Sequence, residues 1–210
     1  MASDRRSRFS VGRFVLVLLF CFLLIIGGFL WAKESYERVR YPLEYEDLIL
    51  RYSDAYDLDP AFVAAVINTE SSFQPDARSS ANAIGLMQLQ PETFDWVKYK
   101  IGEERSLTEE DLLDPEINVQ YGCALYRLLL DEFGSLETAV AAYHAGWGNV
   151  KSWLSDTGYS SDGIHLDQIP FVDTAHYLDR IISDQEVYAR RYESLKKNTA
   201  SGEQILNEDA

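Results

Sequence analysis

From Phe14 to Ala32 the chain reads FVLVLLFCFLLIIGGFLWA, apolar throughout and without a charge. That is about the length a helix needs to cross hydrocarbon. Beyond it the apolar positions thin out and become periodic. Lys33 to Glu44 is polar and reads as a partly helical stalk, ended by Pro42. From Tyr45, apolar residues recur at Tyr45, Leu48, Ile49, Tyr52 and Tyr56, the three-and-four spacing of an amphipathic helix. Asp59-Pro60 then supplies an N-cap followed by proline at the first helical position, opening a helix through FVAAVINTE to Glu70–Phe73.

Gln74 to Gln90 carries no helical stripe and is rich in Ser, Ala, Asn, Pro and Gly, predicting a loop with a short hairpin. Helices resume at Pro91-Glu92 and at Asp114-Pro115. The second carries Ile117, Tyr121, Ala124, Leu125, Leu128 and Leu129 inward and stops at Gly134. Ser135 caps LETAVAAYHA, which breaks at the Gly146-Trp147-Gly148 turn; Asn149–Leu154 is a short helix. A loop to Gln168 leads through Pro170 into a final helix, IPFVDTAHYLDRIISDQEVYARRY, and Lys196 to Ala210 reads as a frayed tail. The predicted order is a basic tail (1–13), an anchor (14–32), a stalk (33–44), one domain (45–195) and a tail (196–210). The class is mainly α, with a small irregular or β insertion after Glu70.

Charge adds an orientation. Arg5, Arg6, Arg8 and Arg13 precede the apolar run and predict a cytoplasmic N-terminus, with everything from Lys33 onward outside. A cleaved signal peptide is the competing reading, although Leu30, Trp31 and Ala32 make a poor cleavage site. The whole chain carries −15 and residues 1–32 carry +3, which leaves −18 on the remainder. So acidic a surface is a poor partner for DNA, RNA or an anionic membrane face, and no nucleic acid is expected as a partner. Cys21 lies in the apolar run and Cys123 in the outer domain, so no intramolecular disulfide is expected and Cys123 reads as core. His144, His165 and His176 have neither the spacing nor the acidic companions of a zinc site, and no phosphate loop or nucleophile elbow is present. No cofactor and no metal are expected.

Glu70 is the candidate for chemistry. It sits one turn beyond Val66 and Ile67, where an apolar backing raises a carboxyl pKa toward that of a general acid at neutral pH. The alternative is an exposed acid near a helix C-terminus, which also favours protonation slightly. Four ordered blocks choose between them: VINTESSFQPDARSSANAIGLMQLQP, NVQYGCALYRLLLDEF, AVAAYHAGWGNVKSWL and IPFVDTAHYL. Together they resemble the lytic transglycosylases of the soluble type and their goose-type lysozyme relatives, over roughly Tyr45 to Tyr192.

The resemblance implies a lysozyme-like α-rich fold that cleaves the glycan strands of peptidoglycan. It implies that Glu70 protonates the oxygen between N-acetylmuramic acid and N-acetylglucosamine, then takes the proton of the muramic C6 hydroxyl as a 1,6-anhydro ring closes. Two alternatives remain, a goose-type hydrolase of the same bond and a non-catalytic glycan-binding module. Ser79, Gln88, Tyr143, Asp173 and Tyr177 match substrate-binding or acid-side positions by the same resemblance. Ser79 is otherwise a loop hydroxyl bonding its own backbone. Leu86 and Met87 read as packing, as do Trp147 and Trp153. The chain departs from the family pattern at His144 for asparagine, Asp173 for glutamate, Gln90 for methionine and Asn82 for glycine. The implied location is a bacterial cell membrane, with one span and the catalytic domain on the extracytoplasmic side.

Overall fold

Proline and capping residues set several helix starts, and the computed structural model shows those at Pro60, Pro91, Pro115 and Leu136 in place. It describes the backbone of residues 11–208 and the side chains of residues 12–194, so Arg5, Arg6 and Arg8 lie outside the described residues. The chain divides into two units, Met1–Pro42 and Leu43–Ala210.

The first unit is a single helix, α1 (Val11–Arg40), that continues through the residues read as anchor and most of those read as stalk. An 18-residue window within Gly12–Arg40 has a mean hydropathy of 2.9 and no buried share, so the helix is long and apolar enough to cross a membrane. A signal sequence meets the same description.

In the second unit α2 (Glu46–Ala55) starts after Tyr45, which is not its first apolar residue but its left-handed N-cap. Helix α3 (Pro60–Ser71) opens as expected, with the Asp59 carboxylate accepting from Ala61 N at 2.9 Å. Every residue from Ala61 to Asn68 is buried, so α3 is apolar all round and forms the axis of the domain. A fully buried Val or Ile of this helix contributes about 1.5–3 kcal/mol. Helix α4 (Pro91–Ile101) turns Phe94 and Val97 inward. A short 3₁₀ helix over Glu109–Leu113, which the pattern did not foretell, precedes α5 (Pro115–Phe133). Helix α6 (Leu136–Ala145) is capped by Ser135, and α8 (Val172–Glu208) ends the chain.

Three boundaries differ from the sequence reading. The break after α6 is confined to Gly146, at φ 91°, and Trp147 already starts α7 (Trp147–Leu154). Helix α8 begins at Val172, beyond Pro170. Its backbone runs to Glu208, through the segment read as tail.

Helix α3 packs most extensively on α8, α5 on α6, and α6 also on α7 and α8. Tyr121, Ala124, Leu125 and Leu129 of α5 meet Ala139, Ala141 and Val150 in the core, and Cys123 is fully buried. The insertion after α3 is hairpin-like. Ile84 bridges antiparallel to both Arg78 and Leu89, and Ile84 and Leu89 exchange both backbone bonds. No strand longer than these bridges occurs among the described residues.

Candidate active site

The insertion is held against the helices by one polar side chain in an apolar stripe. Asn118 of α5 is fully buried; its carbonyl accepts from Met87 N at 2.7 Å and its amide donates to Ile84 O and Leu112 O, both at 2.8 Å. All three partners are backbone atoms in the interior; Ile84 O also accepts from Leu89 N, so the amide is a second bond there, while Met87 N and Leu112 O take theirs from Asn118. Gly85 sits against this amide at φ 80°, and a Cβ there would stand 2.1 Å from Asn118 Nδ2. Gly122, one turn on, lets Met87 lie on α5, since a Cβ would meet its Sδ at 2.2 Å. Ser71 Oγ adds a bond to Leu86 O at 2.8 Å. The Gly85–Gln88 turn is thereby fixed beside the C-terminal end of α3. Leu86 and Met87 are core, as expected.

Glu70 stands in the last turn of α3, half-buried at the edge of a cleft of about 1180 Å³. Burial pushes its carboxyl up to about 7, against smaller downward pulls from the Tyr177 hydroxyl and the Arg180 charge. No second carboxylate is among the causes acting on it. Tyr177 OH donates to Glu70 Oε1 at 2.6 Å. Tyr177 is buried and does not line the cleft, so it holds the carboxylate from the core side. Behind it, Tyr126 OH lies 3.4 Å from Tyr177 OH. With the Tyr177 proton directed at Glu70, Tyr126 is the donor of that second bond. Tyr126 also stacks on Tyr143, with centroids 4.3 Å apart and planes 4° from parallel. Tyr143 OH in turn donates to Met87 O. Glu70, the GLMQ turn and three tyrosines from α5, α6 and α8 are therefore one bonded assembly.

Of the residues singled out in the sequence, Glu70, Ser79, Gln88 and Tyr143 line the cleft together. Ser79 Oγ accepts from Ala81 N at 3.2 Å and Ala83 N at 3.0 Å, the local bonding of a loop hydroxyl, which leaves its proton to donate toward the cleft. The Gln88 amide nitrogen is committed to Ala77 O and Gly85 O, at 3.1 and 2.9 Å, so its carbonyl is what it offers a ligand. Gln88 holds this pose at φ 49°, and Asn82 at φ 60° occupies the left-handed position expected of it. Asp173 is not brought to the site. It is exposed at the start of α8 and outside the lining, one methylene shorter than glutamate, and its charge pulls the His144 pKa upward. Burial outweighs that influence and holds His144 below the usual histidine range. The His144 ring tilts over Tyr177 at 4.5 Å and its Nδ1 lies 3.0 Å from Thr174 Oγ1.

The packing expectation holds for Trp153, buried edge-on against Phe171, but not for Trp147, which is 48% exposed and lines the cleft. The sequence reading passed over Asn118, Tyr126 and Trp96. Asn118 was detectable as an amide between Ile117 and Val119. Tyr126 had no signal apart from its block.

This arrangement presents a carboxyl titrating near neutrality, on a rigid floor, at the side of an open polar-and-aromatic groove. It suits proton transfer to and from a bound saccharide. The Transglycosylase SLT domain model matches residues 47–165, which contain the acid, the turn and the α6 tyrosine. A soluble lytic murein transglycosylase of Salmonella typhimurium is 31% identical over 82% of this chain and 26% of its own length. A membrane-bound lytic murein transglycosylase C of Edwardsiella ictaluri is 28% identical over 70% of this chain and 47% of its own. In three dimensions the 70 kDa soluble lytic transglycosylase of Escherichia coli superposes with a TM-score of 0.67, at 28% identity, over 80% of this chain and 27% of that one. The chain thus spans about a quarter of the length of the soluble relatives it matches. The match takes in Glu70, the turn that walls it and the helix that supplies Tyr143, and on that ground the chain belongs to the SLT transglycosylase domain family.

Proposed function

We propose that this protein is a peptidoglycan lytic transglycosylase that uses Glu70 as its single general acid and base. The observation that carries the reading is a cleft-side carboxyl titrating near 7, held by Tyr177 on one oxygen. Oε1 is occupied by the tyrosine, which leaves Oε2 to meet the glycosidic oxygen between N-acetylmuramic acid and N-acetylglucosamine. Protonated Glu70 gives its proton to that oxygen as the C1–O bond breaks. The resulting carboxylate takes the proton of the muramic C6 hydroxyl as O6 bonds to C1, and the strand ends in a 1,6-anhydro sugar. The proton balance closes on one residue, so an acid poised near neutral pH serves both halves. The nucleophile belongs to the substrate, and a second carboxylate is not required. In this reading Ser79 and the Gln88 carbonyl bind hydroxyl and acetamido groups and exposed Trp147 stacks on a ring, which their presence in the cleft lining supports.

The same reading places α1 across a bacterial membrane once, with the arginines of the leader inside and the domain facing the wall. The apolar length of α1 and the membrane-bound relatives support this. The test is to incubate the full chain in detergent micelles with peptidoglycan and weigh the released fragments, beside Glu70→Gln. Anhydro-ended fragments that vanish in the variant are expected. Reducing ends, one water heavier, would make the protein a hydrolase, and lysis that survives Glu70→Gln would remove the acid from its role.

A further inference from the structure

Tyr126 stands behind the acid without touching it. It is fully buried and outside the cleft lining, and its ring is fixed on two sides, stacked on Tyr143 and edge-on to Phe62 with centroids 4.8 Å apart. Glu70 Oε1, Tyr177 OH and Tyr126 OH form a row with spacings of 2.6 and 3.4 Å. The second spacing is long, but among the described residues Tyr177 OH is the one hydrogen-bond partner of the Tyr126 hydroxyl. Burial holds both tyrosines well above the usual range, so each keeps its proton whatever Glu70 does. Cys123 and Tyr143 beside the row are likewise kept neutral by burial, and the Arg180 guanidinium acts on Glu70 as a fixed charge. The row thus has a closed end and one proton that changes.

Protonated Glu70 can hold its proton in two places. On Oε2, the oxygen left to the cleft, the proton disturbs nothing: Oε1 goes on accepting from Tyr177, and Tyr177 from Tyr126. On Oε1 it competes with the Tyr177 proton for the same 2.6 Å gap, so Tyr177 must turn its hydroxyl toward Tyr126. The Tyr126 proton then loses its acceptor in the interior, which disfavours that form by about fivefold or more. Only the first form can protonate a substrate, since a proton on Oε1 faces the core. We infer that Tyr126 is a positioning residue: its hydroxyl pins the Tyr177 proton on Glu70 Oε1 and so keeps the proton of the acid on Oε2, the oxygen that meets the glycosidic bond. This rests on the general-acid reading above.

The test compares kcat, KM and pH–rate profiles on peptidoglycan for the full-length protein in detergent, Tyr126→Phe, Tyr177→Phe and the double variant. Tyr126→Phe keeps both ring contacts and frees Tyr177 to accept from Glu70. The plateau kcat is expected to fall about fivefold with KM unchanged. The alkaline limb moves up by the logarithm of the same factor, about 0.7 unit, so the two profiles converge in alkali. A Tyr177→Phe protein has no hydroxyl for Tyr126 to orient, so the double variant keeps the kcat of Tyr177→Phe. It also melts above Tyr177→Phe, which strands the Tyr126 hydroxyl. A Tyr126→Phe profile equal to wild type, or lowered alike at every pH, overturns the inference and leaves the transglycosylase reading intact. So does a double variant that loses a further factor in kcat or melts lower. Fragment release that survives Glu70→Gln overturns the general-acid reading as well.

Discussion

Glu70→Gln is expected to stabilise the fold while abolishing catalysis, and the gain depends on pH. The carboxyl titrates at 4.5 in an ordinary setting and at about 7 in the folded cleft. A raised folded pKa means the neutral form is favoured by folding. That contribution is complete below 4.5 and is lost as pH climbs through 7. At 1.36 kcal/mol per unit, a gap of about 2.5 units sets a ceiling of about 3.4 kcal/mol. Glu70 faces an open cleft, and solvent screening brings the figure to about 2 kcal/mol. Glutamine has nearly the same shape, cannot ionise, and still accepts from Tyr177. Urea unfolding of both proteins should show nearly equal stability at about pH 4 and the variant ahead by about 2 kcal/mol at about pH 8, or roughly 4–8 °C in Tm. A difference that is flat with pH, or largest in acid, would refute the desolvation argument and with it the explanation of why Glu70 is a usable acid.

Three further outcomes follow from the same geometry. Tyr177→Phe removes a donor to the ionised carboxylate, so the alkaline limb of the pH–rate profile should move up by about one unit as turnover near neutrality falls. Asn118→Ala strands two buried backbone groups, Met87 N and Leu112 O, and denaturant titration should find it destabilised by about 3 kcal/mol. Gly85→Ala and Gly134→Ala both place a side chain at positive φ, but only the first collides with a neighbour. Gly134→Ala should therefore cost about 1 kcal/mol and Gly85→Ala clearly more, with loss of activity, by thermal melts of the two side by side.

Much of this protein is decided within a few residues of chain. Asp59 and Asp114 each accept from the amide two residues on, with proline at the next position, and Ser135 caps α6 through Thr138 N. Such bonds need only neighbours in sequence, so the starts of α3, α5 and α6 were legible. So was the uncharged run of α1, because length and apolarity suffice to define it. Glu70, Ser79, Gln88 and Tyr143 were found through motif blocks, and the cleft gathers all four.

The rest depends on which surfaces meet. Asp173 and Tyr177 came from one short block and share a face of α8, yet Asp173 is exposed in its first turn while Tyr177, one turn on, reaches 107 residues back along the chain to Glu70. The pKa of Glu70 and the exposure of Trp147 are likewise properties of packing, set by partners no local pattern names. By itself the sequence determined the capped helix starts and singled out Glu70 as the candidate acid. Only the tertiary structure decided that the acid is desolvated, because burial belongs to the assembled walls of the cleft and not to any segment of it.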